Sequence, residues 1–218
     1  MRMRNLCLLI VVLAGMIFLL PELSLTNSRA FASEASAQAS GHDSLFRYGR
    51  QSIGISGGHG LALPIGGTGA GDVRDLQFLY LAPRWGIGLS DPIGGNRWYR
   101  GNFELILEGT FLYSFEPKNG IAGGLTPLIR YNFLAGDRLV PFVQFGAGIL
   151  ALDFDLGRQA DGFNFTPQAG LGFHYFLSER TALTGEWRYH HISNADIHHP
   201  NVGINSSVVL VGVTVFLK

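Results

Sequence analysis

Residues 103–115 read FELILEGTFLYSF, and apolar or aromatic side chains occupy every second position apart from one glycine. Between them stand two glutamates, a threonine and a serine, together with two aliphatic residues. Successive side chains of a β-strand point to opposite faces, so this period of two predicts a strand with one apolar and one largely polar face. Tilted strands of about ten residues or more are what a bilayer requires. The stretch therefore indicates a strand of a membrane β-barrel.

The same alternation recurs along the chain and predicts eight strands. Residues 125–133 and 163–175 are two further clear examples, in which aromatic and aliphatic positions alternate with polar ones. Most of the segments exceed the length of about five or six residues that is usual in globular proteins. The predicted strands cover residues 46–57, 73–89, 98–115, 119–134, 139–153, 163–177, 181–194 and 203–217.

The charged side chains fall on the polar face of these strands. Glu104, Glu108, Arg130, Glu186 and Arg188 all lie there, whereas the apolar face carries many large aromatic side chains. A polar, charge-paired interior and an apolar exterior are typical of outer-membrane barrels. We therefore predict an all-β fold, an eight-stranded antiparallel outer-membrane β-barrel. A soluble β-sandwich remains the alternative, because alternation alone does not say which face is inside.

The N-terminus has the three parts of a secretory signal peptide. Residues 1–4 are basic, residues 6–20 form an apolar run that is short for a membrane span, and Ala30-Phe31-Ala32 follows as a small-residue cleavage pattern. We predict a signal peptide over residues 1–32, with cleavage after Ala37 as the second choice. The barrel domain then covers residues 33–218.

Charge and cysteine content exclude several function classes. The 16 basic and 16 acidic residues balance, so a nucleic-acid partner is unsupported. Cys7 is the only cysteine of the sequence, and it lies inside the predicted leader. The mature protein therefore has no thiol for disulfides, thiolate metal sites or cysteine catalysis.

The lengths of the links predict which end of the barrel faces outward, because outer-membrane barrels have short periplasmic turns and longer external loops. The links at 135–138 and 178–180 are short. The longer links alternate with them and cover residues 58–72, 154–162 and 195–202. This pattern places the 195–202 loop outside the cell, although the link at 90–97 is long for a periplasmic turn and that at 116–118 is short for an external loop.

The end of the seventh strand carries a candidate nucleophile and base. His191 and Ser193 are two residues apart, so on a strand their side chains emerge from one face about 7 Å apart. An imidazole can then take the serine's proton, as nucleophilic acyl transfer requires. The parity of the strand aims the pair at lipid, which is a costly place for a histidine without a purpose. The alternative is an interfacial histidine and serine that merely reach toward the lipid headgroups.

Three asparagines near the same loop complete the predicted site. Asn205 falls on the outer face of strand eight, which pairs with strand seven, and there it can orient the histidine. Amides around Asn194 and Asn201 can stabilise an oxyanion. A metal site is rejected, because His190 and His191 project to opposite faces of a strand.

Short motifs are spread over residues 123–205. They are Thr126-Pro127, a turn at 133–137, Pro141-Phe142, Gly146-Ala147-Gly148 and, above all, HISNA at 191–195 followed by Pro200-Asn201 and Gly203-Ile204. Together they resemble the outer-membrane lipid A 3-O-deacylase (PagL-type) family. The resemblance implies an eight-stranded barrel whose external face hydrolyses the ester-linked acyl chain at position 3 of lipid A. It assigns the family's catalytic histidine and serine to His191 and Ser193, and the family's oxyanion asparagine to Asn194.

Two positions depart from that family's pattern. The family has glutamate where this chain has Asn205, and glycine where this chain has Asp196. An asparagine can hold a histidine tautomer through its carbonyl oxygen, but it cannot stabilise an imidazolium by charge. We therefore expect slower hydrolysis unless Asp196 substitutes for the acid, and we expect Asn205→Glu to raise activity near neutral pH.

The sequence thus predicts a serine esterase that removes the 3-O-acyl chain of lipid A in the outer leaflet of the outer membrane. Ser193 is the predicted nucleophile, His191 the base, Asn205 the orienting group, and Asn194 with Asn201 the oxyanion site. No cofactor or metal is expected. The expected partners are lipid A, within lipopolysaccharide, and the outer membrane. A homodimer is a further possibility. The competing hypothesis is a structural or adhesive small barrel without enzymatic activity.

Overall fold

A computed structural model describes residues 42–69, 71–134 and 136–217. Eight antiparallel strands form a closed barrel, in which each strand pairs with its neighbours in the chain and the first pairs with the last. This confirms the predicted barrel. A β-sandwich, the alternative, would have two packed sheets, whereas these strands form one closed sheet. The predicted signal peptide lies outside the described ranges. The strands are β1 (Gln51–Ala62), β2 (Gln77–Gly88), β3 (Gly101–Glu116), β4 (Gly120–Phe133), β5 (Leu139–Asp153), β6 (Gly162–Phe176), β7 (Thr181–Ile192) and β8 (Ile204–Phe216).

The links alternate between two ends of the barrel. The links β1–β2, β3–β4, β5–β6 and β7–β8 lie at one end, which we call the loop end. The remaining links and residues 42–50, which directly precede β1, lie at the other, which we call the turn end. Two short 3-10 helices, Gly66–Gly69 and Gly71–Asp75, are in the β1–β2 link. Within the described ranges, no helix is long and apolar enough to cross a membrane.

The strand parity predicted from the sequence is confirmed. On β3, Phe103, Phe111 and Tyr113 are exposed on the outside of the barrel, whereas Glu104 and Glu108 are buried inside it. The interior charges of β4 and β7 are buried as well, and the valines of β8 at 209, 211 and 213 are exposed outside. The polar face therefore lines the lumen and the apolar face forms the outer surface.

The bounds predicted for the first strand were wrong, since β1 covers 51–62 instead of 46–57. Phe46 turns into the turn end of the lumen, where its ring packs edge-on against Phe216 with centroids 5.0 Å apart. At the other end of β1, glycines that look like a loop continue the strand. A Cβ on Gly58 would lie only 1.8 Å from a backbone oxygen of β8, so the close approach of the two strands requires glycine there. The other seven predicted strands agree with the structure to within a few residues.

A network of ion pairs fills the middle of the lumen. The carboxylate of Glu108 accepts hydrogen bonds from Arg84 Nε and Arg188 Nη2, both at 2.6 Å. The carboxylate of Glu186 pairs with the same two guanidinium groups. Buried charges are tolerated only when they are paired and hydrogen-bonded, and each of these has at least two partners. An eight-stranded barrel is just wide enough for its own side chains, so this network and the apolar clusters above and below it fill the described part of the lumen.

Glu108→Ala is expected to destabilise the folded barrel strongly, by about 3–5 kcal/mol, because it leaves two buried guanidinium groups with half of their counter-charge. The measurement is the midpoint of urea unfolding in lipid vesicles. Lys118→Ala is the control, since Lys118 forms an exposed ion pair with Asp155 at 2.7 Å and its loss should leave the midpoint unchanged. Equal midpoints for Glu108→Ala and the unsubstituted protein would show that the network does not hold the barrel together.

Candidate active site

The predicted catalytic residues lie where β7 and β8 leave the barrel wall at the loop end. His191 and Asn205 are opposite each other in the antiparallel register of these strands. Their side chains both project outward, and His191 Nδ1 lies 2.7 Å from Asn205 Oδ1. The structure therefore brings together the histidine and the orienting asparagine predicted from strand parity.

The amide of Asn205 uses its full hydrogen-bonding capacity. Its Nδ2 donates to the carbonyl oxygen of Ile65 and to Thr68 Oγ1, both at 3.0 Å. Its Oδ1 accepts from the Tyr189 hydroxyl and faces His191. A carbonyl oxygen can only accept, so the bond to Ile65 fixes which end of the amide is nitrogen. In the neutral ring, the proton is therefore on Nδ1, and Nε2 has a free lone pair.

Gly203 makes room for the imidazole ring. A Cβ built on Gly203 would lie 2.8 Å from His191 Cε1 and 3.5 Å from Nε2, so the basic edge of the ring lies directly over this glycine. Gly203 also has φ +75°, a left-handed conformation that other residues adopt only with strain. Continuing the β7–β8 register by one step from Ile192 and Ile204 puts Ser193 opposite Gly203. Nε2 of His191 therefore lies toward the pair of opposite residues, Ser193 and Gly203, that contains the predicted nucleophile.

Ser193 is held by its backbone. It exchanges two hydrogen bonds with Phe165 of β6, at 2.7 and 3.1 Å, which continue the β6–β7 pairing beyond the end of β7. Its side chain is half-buried, and within the described part of the chain the hydroxyl makes no hydrogen bond, with His191 or otherwise. Catalytic hydrogen bonds are often long in structures without substrate and tighten in the complex.

Asn194 and Asn201, the two predicted oxyanion residues, make hydrogen bonds within the β7–β8 loop. Asn194 is completely buried and donates from Nδ2 to the backbone oxygen of His198 at 2.8 Å. Asn201 Oδ1 accepts from the backbone N–H of Asn194 at 3.0 Å and from Gln159 Nε2 at 3.1 Å. Both side chains are thus engaged in hydrogen bonds within the loop region, that of Asn194 buried and that of Asn201 partly exposed.

Asp196 does not take the place of the missing carboxylate. Its Oδ1 accepts from Asn201 Nδ2 at 3.0 Å, and no ion pair between it and His191 exists among the described residues. Asp196 has φ +62°, which explains why glycine suits this position. His190 points into the lumen, with its ring centroid 5.8 Å from that of Tyr80. In the part of the chain that the structure describes, no three histidine, cysteine or acidic side chains are close enough to hold a metal ion.

The roles of five residues at this site were missed by the sequence reasoning. Tyr189 is on the outer face of β7, and strand parity could have identified it. Thr68, Ile65 and Gln159 come from loops that are distant in sequence, and no local pattern links them to β8. Gly203 belongs to a sequence motif, but the motif does not reveal that this glycine packs against His191.

Comparison with known proteins relates this barrel and its site to a family. The family model of the lipid A 3-O-deacylases (PagL) matches residues 69–214. The crystal structure of the outer membrane enzyme PagL superposes with a TM-score of 0.54 at 19% identity, covering 74% of this chain and 97% of that one. The crystal structure of Neisserial surface protein A gives a TM-score of 0.51 at 14% identity, covering 76% and 96%. A search of curated proteins finds no match. The two structures show the fold. Because the family model spans more than half of the chain, this outer-membrane β-barrel belongs to the lipid A 3-O-deacylase (PagL) family.

Proposed function

We propose that this protein hydrolyses the ester that links the 3-O-acyl chain to lipid A in the outer leaflet of the outer membrane. Ser193 is the nucleophile, His191 the general base and Asn205 the group that orients the base. The observation that carries this proposal is the 2.7 Å contact of His191 Nδ1 with the fully engaged amide of Asn205, on the outer face beside Ser193. The loop end faces the outside of the cell in this proposal.

The chemistry proceeds in two steps. Ser193 Oγ attacks the ester carbonyl as His191 Nε2 takes its proton, and the sugar oxygen leaves with that proton as the tetrahedral intermediate collapses. Water then attacks the acyl-serine, again with His191 as the base, and the fatty acid and Ser193 are released. Asn205 keeps the ring in the tautomer that can accept a proton. Its neutral oxygen supports the imidazolium less than a carboxylate does.

The oxyanion donors belong to the β7–β8 loop. The family resemblance assigns this role to Asn194, which is buried and bonded to the backbone of His198. For Asn194 to reach an oxyanion at Ser193, the loop must open when substrate binds. Asn201, which bonds the backbone of Asn194, serves here as the support of the donor and not as a donor itself.

The acyl chain binds on the outside of the barrel. Phe165 of β6 and Trp187 of β7 are exposed near the site, with 37% and 44% of their surface accessible. Because the outer surface is apolar and contacts lipid, the acyl chain can stay within the membrane while its ester reaches Ser193 at the rim. Water is the only other reactant in these proposed steps.

The direct test is incubation of the purified barrel with lipopolysaccharide in detergent. We expect release of one free 3-hydroxy fatty acid per lipid A and a matching loss of mass from the lipid. Intact lipid A after prolonged incubation would overturn the proposal and favour the structural or adhesive barrel.

Gly203→Ala is expected to reduce the deacylation rate by about 100-fold, because the new methyl group displaces the imidazole and misplacement by about 1 Å has this order of effect. The measurement is kcat on lipopolysaccharide. Gly57→Ala is the matched control, since its Cβ on the outer face of β1 would meet nothing closer than 3.6 Å. A Gly203→Ala protein with an unchanged kcat would show that the ring position does not matter.

A further inference from the structure

Thr68 is buried under the candidate site, in the short helix Gly66–Gly69, just outside the region that matches the family model. Its hydroxyl makes three hydrogen bonds. It accepts from the Asn205 backbone N–H at 2.8 Å and from Asn205 Nδ2 at 3.0 Å, and it donates to the carbonyl oxygen of Gly203 at 3.0 Å. One hydroxyl proton and two lone pairs account for all three bonds, so the group is saturated.

The three hydrogen bonds of Thr68 involve Gly203 and Asn205, the two residues that position the His191 ring. Gly203 lies against the ring, and Asn205 bonds its Nδ1. Thr68 makes no hydrogen bond with His191 itself, so any influence on the base passes through these two neighbours. Together with the carbonyl of Ile65, it receives both hydrogens of the Asn205 amide.

An asparagine at this position creates a difficulty that a glutamate does not. The two ends of an amide have similar shapes, and a flipped amide would present Nδ2 to His191 Nδ1. The ring would then carry its proton on Nε2, and that nitrogen could not accept the proton of Ser193. A carboxylate has two equivalent acceptor oxygens, so flipping it changes nothing.

We propose that Thr68, together with the Ile65 carbonyl, is a positioning residue that selects the reactive tautomer of His191 by fixing the orientation of the Asn205 amide. The loop between β1 and β2 thus compensates in part for the absence of the family's glutamate. This inference rests on the proposed function for its kinetic consequence, but not for its structural one.

The structural consequence is tested without substrate. In protein labelled with ¹⁵N-histidine, the signals of His191 are identified by their absence from His191→Ala. We expect a ring protonated at Nδ1 in the unsubstituted protein and in Thr68→Ser, and loss of this single tautomer in Thr68→Val. Thr181→Val, at the turn end of β7, is the control for a threonine elsewhere. An unchanged His191 spectrum in a folded Thr68→Val barrel would overturn the proposal.

The kinetic consequence is tested with a double-mutant cycle. Thr68→Val should lower kcat by between roughly tenfold and about 100-fold, with little change in KM, and Thr68→Ser should restore it. In an Asn205→Glu background the same change should cost much less, because a carboxylate needs no fixed orientation. An equal cost in both backgrounds would contradict tautomer selection and indicate a merely structural threonine. If the unsubstituted protein releases no fatty acid while the spectra behave as described, the proposed function fails and the positioning role stands.

Discussion

Replacing His191 by alanine is expected to lower the deacylation rate by about 10⁴-fold or more, because Ser193 then has no base to accept its proton. The barrel should stay folded. The His191 side chain is on the outer surface at the loop end and contributes nothing to the ion-pair network in the lumen. The measurement is kcat on lipopolysaccharide, together with the urea unfolding midpoint.

His198→Ala is the matched control for this loss. His198 is exposed in the same loop, and only its backbone oxygen takes part in a hydrogen bond, with Asn194. Its substitution should leave kcat unchanged. Full activity of His191→Ala would eliminate the serine–histidine assignment, whereas equal losses in both variants would indicate that the loop, and not the imidazole, is what the reaction needs.

Asn205→Ala is expected to cost up to about 10⁴-fold in kcat, the order of loss seen when a histidine base is held in the wrong tautomer. It removes the acceptor of His191 Nδ1 and of the Tyr189 hydroxyl, and it removes the donor to the carbonyl oxygen of Ile65. Thr68 loses one of its three bonds but keeps those with the backbone N–H of residue 205 and with Gly203. Asn205→Glu should act in the opposite direction near neutral pH, because a carboxylate stabilises the imidazolium by charge. The gain should fall short of the full charge effect, since one carboxylate oxygen must lie near the carbonyl oxygen of Ile65.

Asp196→Gly tests whether Asp196 acts as the acid in place of the glutamate that Asn205 replaces. Asp196 bonds Asn201 and not His191, so this variant should keep its activity. Initial rates of Asn205→Glu, Asp196→Gly and the double variant decide the matter. If Asn205→Glu leaves the rate unchanged and Asp196→Gly removes it, Asp196 is the acid and the placement of Asn205 is wrong.

The fold could be predicted because the period of two is a local property. Residues 103–115 alone separate a lipid-facing from a lumen-facing side, and the same parity assigns His191 and Asn205 to one outer face. The first strand was misplaced because glycine signals both loops and close backbone contacts. Only the neighbouring strand β8 shows that Gly58 is at a close backbone contact and not in a loop.

The support of the site could not be predicted in the same way. Thr68 and Gln159 reach the β7–β8 region across the barrel rim, and such contacts depend on how long loops fold over the closed sheet. Asn194 illustrates the same limit. Its position in the motif suggested a donor aimed at substrate, whereas its side chain is buried and bonds the loop backbone.

The mass of lipid A from cells that express the protein tests the central proposal most directly. Cells with the unsubstituted protein, and cells with Ser44→Ala as a control for an exposed serine at the turn end, should contain lipid A that lacks one 3-hydroxyacyl chain. Cells with Ser193→Ala should contain only the intact species, with the barrel present in the outer membrane at the same level. Deacylated lipid A in the Ser193→Ala cells would contradict the assignment of Ser193 as the nucleophile.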